Sequence, residues 1–192
     1  MTVNLSKGDD FTVTTRSEPG NASVIVGLGW TVHSGPGDVD LDASALVLGT
    51  DGRVLSDRHF VFFNNRATPE GSVRHTGDNK TGRGEGDDEQ IAVDFDQLPG
   101  QAESVVFVVS IHTDGHSAAV TFGRVRDAYV RVVHQATGLE MCRFELTEDA
   151  HDRTAMVFGQ LRRHAGEWKF RAIGQGHATG LAGIAKEYGV QL

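Results

Sequence analysis

Two short acidic segments hold the side chains of this chain best suited to chemistry. The first runs Asp38, Val39, Asp40, Leu41, Asp42 and alternates carboxylates with aliphatics. Successive side chains of an extended strand point to opposite faces, so the three carboxylates share one face while Val39 and Leu41 enter a core. The second, GDNKTGRGEGDDE, sets Asp78, Asn79, Glu85, Asp87, Asp88 and Glu89 among Gly77, Gly82, Gly84 and Gly86. Glycines let such a loop close tightly around a small object and present its carbonyls. Asn64 and Asn65, directly after the apolar run Phe60 to Phe63, add amide oxygens at a strand end. Carboxylate, amide and main-chain oxygens are what Ca²⁺ gathers, six to eight of them at about 2.3 to 2.6 Å. Zinc and copper would call for imidazole or thiolate, and Mg²⁺ accepts fewer protein ligands. The pattern therefore predicts Ca²⁺ held by these eleven residues. An EF-hand loop does not account for it, because the sixth and twelfth positions counted from Asp38 are Ala43 and Gly49 instead of Gly and Glu.

The charge distribution points the same way. The formal net charge is -8, and all of it lies in residues 1–100, which carry 16 acids against 8 bases. Residues 38–42 and 78–89 each contribute -3. Carboxylates about 5 Å apart repel by roughly 3 kcal/mol at an effective dielectric near 20, so a neutralising ion is expected between them. The alternative for the glycine-rich segment is a solvated loop. A basic surface for nucleic acid or anionic lipid has no support in this balance.

Other candidate residues point to less. His112 and His116 are four apart, but Gly115 interrupts a helix and the glutamate of a zinc-protease helix is missing, so a metal role is not assigned. GLGW, residues 27–30, is half a phosphate-binding fingerprint and reads as a tight strand bend. Arg162, Arg163, Lys169 and Arg171 read as a wet sheet face more readily than as a patch for an acidic partner. Cys142, the single cysteine, alternates with Phe144 and Leu146 and is expected to be a buried thiol in a reducing compartment.

The elements that must position these residues are strands. Apolar residues recur with period two in Phe11 and Val13, in Val24 to Trp30, and in Ile91, Val93 and Phe95. Turn signals at Thr137-Gly138 and Ala165-Gly166 separate strand-like stretches and predict two hairpins. With 24 glycines and 4 prolines in 192 residues, the reading is one all-β domain of about ten strands in a two-sheet β-sandwich. The exception is the carboxyl end, where Leu181, Ile184, Ala185 and Tyr188 fall at helical spacing before Gly189. They predict a short amphipathic C-terminal helix that caps the core. The first ten residues lack an apolar stretch, and Val105 to Val109 is too short to span a bilayer, so a cytoplasmic protein without direct membrane insertion is expected.

Motifs run nearly the whole length of the chain: MTVNLSKG, VGLGW, DLDASALVL, FVFFNN, residues 72–86, GDDEQI, VVFVVSIH, AYVRVV, TAMVFG and GEWKFRAIGQG. In these the chain resembles the bacterial TerD-type tellurium-resistance and stress-response family. It implies a β-sandwich that binds calcium, with Asp40, Asp42, Asn65, Asp78, Asp87, Asp88 and Glu89 at the family's ligand positions. It also implies a link to tellurite, phage and colicin resistance, with Ter-type partners that include a membrane-embedded TerC-type protein holding it at the inner membrane. With soft ligands limited to one Cys and three Met, tellurite resistance reads as an indirect phenotype. The resulting expectation is a non-enzymatic Ca²⁺-binding stress-response protein. A metal-dependent hydrolase using the same carboxylates is the alternative.

Overall fold

The computed structural model describes residues 2–14, 23–32, 39–78, 86–112, 121–146 and 152–191. Its first strands are β1 (Val3–Leu5), β2 (Asp10–Thr12), β3 (Ser23–Val32), β4 (Leu41–Leu48), β5 (Phe60–Val61) and β6 (Val73–Asp78). They are followed by β7 (Glu89–Asp94), β8 (Ser104–Ile111), β9 (Val125–His134), β10 (Glu140–Glu145), β11 (Ala155–His164), β12 (Glu167–His177) and the helix α1 (Gly180–Glu187). These form two six-stranded sheets, ordered β1-β10-β9-β3-β7-β6 and β2-β12-β11-β8-β4-β5. The strand number exceeds the ten or so expected by β1 and β6: β1 is an edge piece of three residues, and β6, VRHTGD, has one apolar residue and so no alternation to read.

The alternating residues pack as the period requires. Val24, Val26, Leu28 and Trp30 of β3 and Ile91 and Val93 of β7 face Leu41, Ala43, Ala45 and Val47 of β4 and Val105, Phe107 and Val109 of β8 across the sandwich. Cys142 lies in the same layer and is buried. Both hairpins form: β9 pairs antiparallel with β10, and β11 with β12. The second turns at Ala165 and Gly166 with φ of 52° and 81°, the two consecutive positive values of a type I′ turn.

The second sheet is covered on both faces, which accounts for the unbroken apolar run of β8. Its outward-facing Leu46, Leu48, Val106, Val108, Ala155 and Val157 pack under Ile184 and Ala185 of α1 and under Val190. All eight residues of β8 are consequently buried. The helix ends where expected: Gly189, at φ 89°, donates its N–H to the Lys186 carbonyl, and Val190 N–H bonds to Ala185. Among the described residues, no helix is long and apolar enough to cross a membrane.

Candidate cation site

The outer face of β4 changes character along its length, and that change builds the site. Leu48 and Leu46 lie under the helix; Ser44, Asp42 and Asp40 continue the same face beyond it. Val39 and Leu41, on the other face, are buried in the sandwich core. The alternation read in DVDLD therefore separates acids from aliphatics as expected for Asp40 and Asp42, whereas Asp38 lies outside the described residues.

β8 runs antiparallel beside β4, with Leu41 opposite Ile111 and Asp42 opposite Ser110. One residue further on, His112 donates its backbone N–H to the Asp40 carbonyl at 2.8 Å. That pairing turns the imidazole toward the acids, and His112 Nδ1 lies 2.9 Å from Asp42 Oδ2. Asp40, Asp42 and His112 each offer one ligand atom, and the three atoms lie within 4.8 Å of one another. Phe63 closes one side, its ring edge-on to His112 at 5.7 Å between centroids. His112 was passed over in the sequence because the signal sought was a helical pair with His116. The partner that matters comes from a strand 70 residues away, and only the β4–β8 register reveals it. His116 itself lies outside the described residues.

The second acidic segment reaches β4 just past the first. Glu89 Oε2 accepts the backbone N–H of Ala43 at 3.2 Å and pairs with His75 Nε2 at 2.8 Å, with both side chains buried between the sheets. Asp88 Oδ2 accepts the Trp30 N–H at 3.2 Å, and the same tryptophan's indole N–H reaches the carbonyl of Val39, next to Asp40.

Asp87 turns the other way. Arg131 grips it through Nε at 2.7 Å and a second guanidinium N–H at 3.2 Å, and Tyr129 donates its hydroxyl at 3.2 Å. Burial works against the Arg131 charge, but its hydrogen bonds to Asp87 and Glu140 hold it protonated above the ordinary arginine range. Gly27 and Gly29 make this possible, since a Cβ at Gly27 would overlap the Asp87 carboxylate and one at Gly29 the Tyr129 ring. GLGW is thus part of a continuous strand, with a register irregularity between Gly29 and Thr31, whose glycines clear space for side chains.

Of the remaining predicted ligands, the asparagine pair after β5 belongs to a turn. Asn65 uses its amide N–H groups on the carbonyls of Phe60 at 2.7 Å and Arg58 at 3.1 Å, pinning the turn that carries the exposed Asn64. Asp78 ends β6 opposite Glu89, its side chain outside the described set, as are Asn79 and Glu85. The four basic residues at 162–171 include two that lean on Asp10, Arg162 at 2.7 Å and Arg171 at 3.8 Å, and Arg163, which stacks on Trp168.

The donor set can be weighed against Ca²⁺. Asp40 and Asp42 supply hard oxygens in one place, which fits; the third donor is an imidazole, which Ca²⁺ seldom uses. Among the described residues the cluster thus offers two carboxylate oxygens and one imidazole nitrogen.

Comparison with known proteins identifies the family. The TerD domain model matches residues 1–188. The chain is 47% identical over 191 residues to tellurium resistance protein TerD of Serratia marcescens, covering 99% of this chain and 98% of that one. It is 43% identical over 194 residues to general stress protein 16U of Bacillus subtilis (strain 168), covering both chains entirely. A crystal structure of a homologue of telluride resistance protein (TerD) from Streptomyces coelicolor A3(2) superposes with a TM-score of 0.69 at 26% identity, covering 86% of this chain and 96% of that one. The chain belongs to the TerD family of tellurium-resistance and stress-response proteins.

Proposed function

We propose that the protein is a non-enzymatic Ca²⁺-binding module of the stress response, in which the cation joins the two acidic segments and orders a surface for a partner. The carrying observation is that Glu89 of the second segment accepts the backbone N–H of Ala43, the residue directly after the first segment and 46 residues away. Asp40 and Asp42 would anchor the ion and Asp88 would approach from the far side of Trp30. Asp38, Asp78, Asn79 and Glu85 are the further oxygen donors of the proposal. Glu89 and Asp87 are assigned to the frame, since Glu89 is hydrogen-bonded to His75 and Asp87 is ion-paired with Arg131. The proposed partner is a Ter-type protein, including a membrane-embedded TerC-type one, and its capture from solution should be lost when a chelator is added.

Direct tellurium chemistry is disfavoured by the state of the thiol. Burial pushes Cys142 up to about 12, so it is neutral and shielded at physiological pH. Resistance would then follow from the cation-ordered surface and not from reduction of the oxyanion.

Isothermal titration of metal-stripped protein with Ca²⁺ tests the reading. Saturable binding is expected, accompanied by stabilisation of about 2.7 kcal/mol at a hundredfold excess over Kd. Asp40→Asn should weaken binding about tenfold or more, while Glu103→Gln, outside both segments, should not. Sodium chloride at matched ionic strength controls for screening. Absence of binding by folded protein, or a sodium effect equal to that of calcium, overturns the proposal.

A further inference from the structure

The two sheets end in four edge strands, and an edge strand presents backbone N–H and C=O groups that another strand can take up. Three of these edges are obstructed. Along β6, Thr68 donates its N–H to the Val73 carbonyl, His75 donates its own to the Arg66 carbonyl at 2.8 Å, and Ala67 bridges to Arg74. β5 has two residues, both buried, and the Asn65 amide holds the Phe60 carbonyl at 2.7 Å. β2 starts at Asp10, bound by Arg162 at 2.7 Å and preceded by Asp9, so that edge carries charge.

β1 differs on each count. It pairs with β10 on one side, and among the described residues nothing pairs with the other. Thr2 to Ser6 hold no charged residue. Val3 is 42% exposed and Leu139, just before β10, is 58% exposed; among the described residues Phe63 is the only other large apolar side chain so exposed. The Thr2 hydroxyl donates to the Glu140 carbonyl at 3.4 Å, which sets the start of β1 beside Leu139. The charged residues of this corner are engaged within the chain, Glu140 with Arg131 at 2.9 Å and Arg143, opposite Asn4, with Glu145 at 2.6 Å. In a chain of net charge -8, such an edge lets two copies approach with little repulsion. Turned about a two-fold axis, an edge strand is complementary to itself, because its outward donors then face acceptors.

We infer that β1 is a self-association edge, along which a second copy of this chain adds its own β1 antiparallel and joins two six-stranded sheets into one. Asn4, the middle residue, then faces its own counterpart across the axis, and Val3 leaves water. The contact is short, so the dimer is weak and exchanges quickly. The inference is independent of the cation reading, since β1 lies in the sheet that does not contain β4.

Sedimentation velocity of the full chain from about 10 µM to 1 mM, with chelator and with Ca²⁺, tests it. A monomer–dimer equilibrium is expected in both conditions. It should strengthen as sodium chloride is raised from about 0.05 to 0.5 M, because salt screens the -8 charge that opposes association. Val3→Lys places a charge on the edge and should weaken the dimer about tenfold or more, whereas Phe63→Lys, the same change at an exposed apolar residue elsewhere, should leave it within about twofold. Val3 is exposed, so the variant is expected to fold, which circular dichroism checks. As a second measurement, Asn4→Cys should form a covalent dimer under mild oxidation, while wild type, whose one cysteine is the buried Cys142, should form none. A chain that stays monomeric at the highest concentration overturns the inference and leaves the edge to an extended segment of another protein. Equal weakening by Val3→Lys and Phe63→Lys, or growth beyond a dimer, overturns it as well.

Discussion

Asp87 shows how one residue's partners decide its role. Three acids in a row, Asp87, Asp88 and Glu89, would serve as a ligand cluster only if they converged, and the chain sends them to three different environments. The Asp87 side chain is 1% exposed while Arg131 is 27% exposed, which places this pair between a surface ion pair worth under about 1 kcal/mol and a buried one whose breakage costs about 3 to 5. Asp87→Asn should therefore lower the urea-unfolding free energy by about 2 kcal/mol. Ca²⁺ affinity should stay within threefold of wild type. A variant of unchanged stability that loses calcium would return Asp87 to the ligand set. The same residue scale explains why Gly27 cannot carry a side chain, since its missing Cβ is the space that the carboxylate occupies.

At the scale of elements, α1 decides which end of the β4 outer face is dry. Ile184 is fully buried in the layer between helix and sheet, so Ile184→Ala removes apolar contact and leaves a cavity, a change that costs about 2 to 4 kcal/mol. Urea denaturation should show that loss with little change in cation affinity, because the helix covers Leu46 and Leu48 and not Asp42; equal losses in both would mean that the helix also shapes the site. This division was legible in part. Period-two runs announced the strands, DVDLD announced which side chains face outward, and the helical spacing of Leu181, Ile184 and Tyr188 announced the cap. Pairing was not legible: that β4 neighbours β8, and that β3 lies between β7 and β9, follows from long-range register. Without that register His112 is an isolated histidine, and Arg131 gives no sign that it neutralises Asp87. The glycines of GLGW were equally silent, since their purpose lies in side chains 60 and 100 residues further along.

The whole molecule combines an acid-rich strand face with ionisable groups that burial keeps protonated. Burial pushes the Cys142 thiol up to about 12. Burial, aided by the Asp87 charge, raises Tyr129, and burial, aided by Glu187, raises Tyr188. In each case the folded state holds its proton more tightly than the unfolded chain does. Stability from these groups is therefore fully present below the unfolded-state values, near 8.5 for cysteine and 10 for tyrosine, and is lost as pH rises through the folded ones. The unfolded chain binds fewer protons in that window, so the slope of stability against pH is negative there. Cysteine alone contributes a loss of about 2 kcal/mol between pH 8 and pH 10, before the tyrosines take part. Urea unfolding at pH 8, 9 and 10 should thus show wild-type stability falling, and Cys142→Ala, although less stable at pH 8 for want of its sulfur, falling by about 2 kcal/mol less over the same interval. Parallel curves for the two proteins would mean that the thiol reaches solvent in the folded state, and the argument that this chain keeps its one thiol away from tellurium chemistry would lose its basis.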